Sequence, residues 1–249
     1  MDLMRAVGLA HLQALRNRLD VVANNIANVN STGFKTERAR FRTSVFEMPQ
    51  AGGVEGLGRV QFILPAGVFR DMAQGAIDVT NNPLDVAIDG EGFFVVETAD
   101  GERLYTRAGN FTLNADRELV TATGERVLDD SGAPIAFTVS DNRITIDEDG
   151  KIFTERGEVA QLGLVRFDRP QQLERRGNGL LTSDETPIPV DPGETRIVQG
   201  ALERANVKPI VEMTRMIKIL RSYQEMQRAL DRSRETEQRA LDRLPRVQA

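Results

Sequence analysis

Cysteine and tryptophan are both missing from these 249 residues, and histidine occurs once. Without cysteine, disulfides, thiolate metal sites and cysteine nucleophiles are excluded together, and the redox compartment stays open. No stretch approaches the roughly 20 apolar residues of a membrane span, so direct membrane insertion is not expected. Asp2, Arg5, His11, Arg16 and Arg18 interrupt the N-terminal segment, which therefore lacks the apolar core of a signal peptide. Any export is expected to use a route without a cleaved signal. A one-signed basic face is missing as well. Residues 1–30 sum to +1, 31–200 to −10 and 201–249 to +4. The C-terminal arginines are interleaved with Glu225, Asp231, Glu235, Glu237 and Asp242, so no nucleic-acid partner is expected.

The chain does carry two apolar-striped ends around a turn-rich middle. Leu12, Leu15, Leu19, Val22, Ile26 and Val29 recur at alternating spacings of 3 and 4, which line one stripe of a helix. Asn24, Asn25, Asn28 and Asn30 crowd its end, and the helix is predicted to stop between Asn30 and Gly33. At the other end Ile210, Met213, Ile217 and Leu220 form a second stripe, and Met216, Ile219, Tyr223, Met226 and Leu230 continue it on an adjoining one. Pro209 suits a first helical turn, so this helix is predicted to begin between Ala205 and Lys208. Beyond Leu230 the stripe thins to Leu241 and Leu244, and Pro245 closes it.

Between the ends the period becomes two. Leu84, Val86 and Ile88 alternate with Asp85, Ala87 and Asp89, and the runs Phe93 to Val96, Ile135 to Val139 and Ile144 to Ile146 read as further strands. Turn signals at Asp89-Gly90, Asp100-Gly101, Ala108-Gly109-Asn110, Thr123-Gly124, Asp149-Gly150 and Gly177-Asn178-Gly179 separate them. Short strands with frequent turns predict an antiparallel sandwich or barrel-like domain. Residues 34–75 show neither period, and Gly52, Gly53, Gly56, Gly58 and Pro65 predict an extended connector.

No constellation for catalysis emerges. His11 stands alone on a helix. Asp147-Glu148-Asp149-Gly150 resembles a calcium loop only in its start, because no glutamate follows at the twelfth position, and a hairpin turn is the better reading. Gly52 to Gly58 fits neither the dinucleotide fingerprint nor the phosphate loop. Neither a catalytic residue, a metal ligand set nor a cofactor is assigned, and the chain reads as a non-enzyme.

An apolar stripe left in water forfeits roughly 1.5 to 3 kcal/mol for each large side chain it could bury. The terminal helices therefore need partners. Three readings satisfy that need: helices covering one compact α+β domain, helices forming a dimer, and helices packing on neighbouring copies. The dimer reading would suit a binding module or adhesin whose ligand sits on the β domain.

The segment Asp20 to Lys35 (DVVANNIANVNSTGFK) resembles the N-terminal signature of flagellar rod and hook proteins. Leu84 to Phe94 (LDVAIDGEGFF), Tyr105 to Leu113 (YTRAGNFTL) and Val198 to Val207 (VQGALERANV) resemble that family in the same order. The stretch from Gly75 to Gly200 leaves no room for the extra outer domain of a hook subunit, which favours a rod protein. Pro209 to Ile217 (PIVEMTRMI) is more similar to the proximal-rod than to the distal-rod kind.

The resemblance implies an α+β subunit in four parts. Residues 1–33 and 201–249 are the terminal helices, paired as a coiled-coil-like hairpin; 34–75 is the connector; 76–200 is a mainly antiparallel outer domain. It further implies a structural role in the periplasmic rod of the basal body, self-assembly with copies of itself and other rod proteins, and export by the flagellar type III apparatus. The assembly interface is expected at Leu12, Leu15, Leu19, Val22, Ile26, Val29, Ile210, Met213, Ile217, Leu220, Tyr223, Met226 and Leu230. Asn24, Asn25, Asn28, Thr32, Gly33 and Phe34 belong to the family signature, where their polar groups would fix the junction of helix and connector.

Overall fold

A computed structural model describes residues 2–47, 59–141, 143–190 and 193–242. The glycine-rich stretch from Gly52 to Gly58 and the closing residues Leu244 and Pro245 lie outside the described residues. The chain is α+β and divides into two compact units. One comprises residues 1–26, 37–69 and 209–249, and the other residues 27–36 and 70–208.

The first unit holds helix α1 (Asp2–Ala27), strands β1 (Glu37–Glu47) and β2 (Arg59–Arg70), which pair with each other, and a C-terminal helix, Pro209–Asp242. Helix α1 stops sooner than its asparagine cluster predicts. The carbonyl of Asn28 accepts from the Ser31 amide at 3.1 Å, and its Oδ1 accepts from Ser31 Oγ at 3.2 Å. This side-chain turn takes over the backbone where the helix would continue. Residues 34–75 do contain regular structure. The row Glu37-Arg-Ala-Arg-Phe-Arg42 sets arginines against Glu37, Ala39 and Phe41, and this weakly apolar row builds a paired ribbon. No helix among the described residues is long and apolar enough to cross a membrane.

The second unit is built from short strands joined by turns and loops, with a longer segment, residues 128–144, between the chain's ninth and tenth strands and a short 3-10 turn, Pro170–Gln172, between its thirteenth and fourteenth. The strands are β3 (Ile77–Val79), β4 (Val86–Asp89), β5 (Phe93–Glu97), β6 (Arg103–Thr106), β7 (Thr112–Leu113), β8 (Leu119–Val120) and β9 (Arg126–Val127), followed by β10 (Thr145–Ile146), β11 (Lys151–Thr154), β12 (Gly157–Gln161) and β13 (Leu164–Arg166). Then come β14 (Glu174–Gly177), β15 (Leu180–Thr182), β16 (Ile188–Pro189), β17 (Arg196–Gln199) and β18 (Ala201–Glu203), before α2 (Pro209–Asp242) returns the chain to the first unit. The strand pairs with assigned register are antiparallel. The main sheet runs β14-β15-β6-β5-β9-β8-β7, with β13 also on β5.

Strand β5 is central and buried on both faces. Phe94 and Val96 enter a core with Val86, Ile88, Phe111 and Ile152, while Phe93 and Val95 enter a second with Tyr105, Leu128 and Phe167. An unbroken Phe-Phe-Val-Val run is the sequence signature of such a strand. Gly109 lets two segments touch, since a Cβ there would lie 1.7 Å from the Val86 carbonyl oxygen. The run Ile135 to Val139 does not form a strand; it is tied by isolated bridges at Pro134 and Ala136, with its buried side chains two apart at Ile135 and Phe137. Pro134 lacks the amide a continuous ladder needs there.

A polar corner closes the far end of this unit. Arg156 donates to both oxygens of the buried Asp141 carboxylate, at 2.9 and 2.8 Å, and the Thr138 amide and hydroxyl donate at 2.7 and 2.9 Å. These donors, Arg156 first, hold the Asp141 carboxyl well below the usual carboxylate range. A depressed folded value means that the stabilisation is complete above the ordinary aspartate range and is lost as pH falls through the folded value. A carboxyl NMR titration should therefore find Asp141 still ionised after the solvent-exposed aspartates have protonated.

Candidate functional site

Three arrangements built from the described residues bear on function, two in the helical unit and one in the β-rich unit.

In the helical unit the apolar faces are unequally covered. Leu15 and Val22 of α1 are buried, and Leu12, Leu19 and Ile26 are half-buried. On α2 the adjoining stripe is the covered one: Met216, Ile219, Tyr223, Met226 and Leu230 are half-buried, in phase with the buried Glu212. A Cβ on Gly8 would lie 2.6 Å from Leu230 Cδ2, so the absent side chain of Gly8 makes the socket for that leucine. The leading stripe is open. Ile210 is 80% exposed, Met213 51%, Ile217 52% and Leu220 39%. At 3.6 residues per turn the two stripes are roughly 110° apart around the helix, so one helix cannot hide both behind the same neighbour.

The second arrangement centres on Asn25, which is fully buried in α1. Its Nδ2 donates to the Glu37 carbonyl at 2.8 Å and its Oδ1 accepts from the Glu37 amide at 2.8 Å. The side-chain amide therefore pairs with the first residue of β1 as a neighbouring strand would. Nδ2 also lies 3.4 Å from Glu212 Oε2, and Glu212 pairs with Arg215 one turn along α2. Arg18 stacks over Phe41 in the same unit, 5.2 Å from the ring centroid.

The third arrangement is in the β-rich unit. Residues 33–36, 71–75 and 203–206 come together there. Glu203 Oε1 accepts from Lys35 Nζ at 2.6 Å and from the Gly75 amide at 2.8 Å, and its Oε2 lies 3.4 Å from Arg107 Nη1. All three side chains are buried. Burial lowers the proton affinity of Lys35 and of Arg107, with Glu203 opposing the shift in each. Asn206 completes the cluster: its Oδ1 accepts from the Thr36 amide and hydroxyl, both at 2.7 Å, and its Nδ2 donates to the Asp71 and Ala73 carbonyls, both at 2.8 Å. These bonds hold Asn206 outside the helix, and α2 starts at Pro209 rather than before it. Lys208, preceding a proline, is also disfavoured in the helical region.

The signature residues divide between the units. Asn24 and Asn25 lie on α1; Asn28, Thr32, Gly33 and Phe34 belong with the β-rich unit, as does the half-buried Val29. Gly33 has φ +66°, donates its amide to the Glu203 carbonyl at 2.8 Å, and would put a Cβ 2.5 Å from the Arg107 backbone. Phe34 is buried beneath the Arg175 guanidinium, 5.5 Å from its ring centroid, and Thr32 is half-buried beside it, on the wall of a polar cavity of about 450 Å³.

Glu212, Glu203, Asn206, Lys35 and Arg107 were not singled out from the sequence, although a signal was there. Glu212 is a carboxylate in phase with an apolar stripe, and Lys35, Glu203 and Asn206 fall inside the resembling segments.

Three segments match known families in chain order. Residues 9–35 match the flagella basal body rod protein family, 87–154 the flagellar hook protein FlgE/F/G D1 domain, and 198–243 the flagellar basal body rod FlgEFG protein C-terminal family. Flagellar basal-body rod protein FlgF of Caulobacter vibrioides is 38% identical over 99% of this chain and 100% of its own length. The FlgF protein of Mesorhizobium japonicum is 34% identical over 88% of each chain. A protein named FlgG, from Agrobacterium fabrum, is 34% identical over 89% of this chain and 92% of its own. Matches of this length, at both ends and through the middle, establish that the chain belongs to the flagellar basal-body rod protein family.

Proposed function

We propose that the chain is a structural subunit of the proximal part of the flagellar rod, joined to copies of itself and to other rod subunits through its terminal helices. Its part in motility is mechanical: it carries torque by staying packed. The full-length match to a FlgF protein favours the proximal kind over the distal FlgG kind. Gly8 against Leu230 and Asn25 against Glu212 touch at two levels, with sequence order reversed between the helices. That supports an antiparallel, coiled-coil-like hairpin. On this reading residues 1–33 and 201–249 form the inner helical part, 34–75 the connector and 76–200 the outer domain. The chain reaches the periplasmic rod through the flagellar type III export apparatus.

The observation that carries the reading is the open stripe Ile210, Met213, Ile217 and Leu220. Such a row is stabilised by roughly 1.5 to 3 kcal/mol for each side chain a neighbour fully covers. Ile217→Asp is expected to leave the circular dichroism and melting of the isolated chain unchanged, because the side chain is half in solvent there. It should abolish rods in isolated basal bodies and swimming in soft agar, because assembly would bury an unpaired charge. Normal rods and swimming would overturn the reading.

A further inference from the structure

The two units carry opposite charge. The helical unit has 16 Lys and Arg against 11 Asp and Glu, and the β-rich unit has 16 against 26. In the helical unit two acids are hidden: Glu37 is 9% exposed and Glu212 2%, each engaged within the unit. Arg40 and Arg42 are exposed and lie two residues apart on β1, hence on one face of the ribbon, about 7 Å apart. Glu37, Ala39 and Phe41 are more covered, and Glu37, Arg38 and Ala39 line a groove with Val21, Val22 and Ile219.

The β-rich unit has a matching surface. Asp129, Asp130 and Asp149 line one cavity of about 340 Å³, where Arg103 is the one basic lining residue among the described residues. Gln161 ties its two sides together, accepting from the Asp130 amide at 3.1 Å and donating to the Asp149 carbonyl at 3.0 Å. Glu148 stands exposed beside Asp149 on the same turn.

We infer that the arginine face of β1 in one copy docks on the acidic surface around Asp130, Glu148 and Asp149 in the next copy. This contact rests on the rod reading above and adds to it a second, electrostatic interface, distinct from the open stripe of α2. It is heterologous: the basic face of each copy meets the acidic face of another, so the chain of contacts stays open-ended. The charged contact supplies register and encounter rate, and the apolar stripe supplies most of the burial.

The absence of native cysteine makes the test clean. Arg40→Cys and Asp149→Cys variants of the full chain are expressed together in cells lacking the wild-type protein, and intact cells are treated with a short bifunctional thiol reagent. A covalent dimer of the two variants is expected, and none when Asp149→Cys is replaced by Ala115→Cys. Arg40→Glu with Arg42→Glu, or Asp130→Arg with Asp149→Arg, should lower rod yield about tenfold, as losing two exposed ion pairs implies, and the four changes together should restore most of it. If cross-links from Arg40→Cys reach only other polypeptides, or if the fourfold variant does no better than either parent, the inference is overturned. Ile217→Asp separates the two readings: rods lost there, with no cross-link and no charge rescue, would leave the rod reading standing and remove this one alone.

Discussion

Glu203→Gln is expected to destabilise the β-rich unit by about 3 to 5 kcal/mol, the usual consequence of removing one partner from a buried ion cluster. The replacement keeps the shape of the side chain and an oxygen for the Gly75 amide, so the loss isolates the charge. Lys35 and Arg107 are 4% and 6% exposed, and without the carboxylate two cations are left under the surface with backbone carbonyls for company. Lys35→Met gives the contrast. It removes one cation and leaves Glu203 with Arg107 and the Gly75 amide, so its loss should be clearly smaller. Urea unfolding read at Tyr105, a buried tyrosine of the same unit, measures both. Equal losses would mean that packing rather than charge holds the cluster.

The same variant should change how stability depends on pH. Folding lowers the Lys35 value from 10.5, chiefly by burial, with the Glu203 charge opposing the shift. Between the folded and unfolded values the unfolded chain therefore binds more protons, so stability rises with pH across that window. Without the Glu203 charge the folded value drops further and the window widens downward. Glu203→Gln should thus recover stability as pH is raised towards 10.5, over a wider range than the parent chain.

Much of the architecture was legible because local signals agreed with one another. The Phe93 to Val96 run, the Asx-Gly turns and the stripes of both ends each became the element they indicated. The β1–β2 ribbon was not legible, because the side of β1 that alternates with Arg38, Arg40 and Arg42 carries Glu37 and the small Ala39, with Phe41 its one large apolar residue up to Arg42, too weak an apolar row to mark a strand. Periodicity found both stripes of α2 but could not say which one the chain itself covers. That depends on where α1 lies, and the evidence is a missing side chain at Gly8 and a buried amide at Asn25. The Glu203 cluster joins residues up to 168 positions apart, a pairing that no local pattern encodes. Its members are ordinary charged residues until the chain closes around them.

Asn25→Asp is expected to be the most damaging single change in the helical unit, at about 3 to 5 kcal/mol near neutral pH. The native amide uses both ends: it donates to the Glu37 carbonyl and towards Glu212, and it accepts from the Glu37 amide. An ionised carboxylate keeps the acceptor, loses both donors, and sets a second negative charge beside a Glu212 that is 2% exposed. Burial and the like charge would raise the folded value of the introduced carboxyl, so the folded state binds the extra proton. The damage should then grow as pH rises above about 4 and ease on acidification, when the protonated group can donate again. Asn25→Leu, which removes the bonds without adding charge, should cost less at neutral pH and show no such dependence. Helical circular dichroism during thermal unfolding of the full chain, run at acid and neutral pH, compares the two. A loss in Asn25→Asp equal to that in Asn25→Leu at both pH values would show that the lost hydrogen bonds, and not the charge facing Glu212, set the stability of this junction.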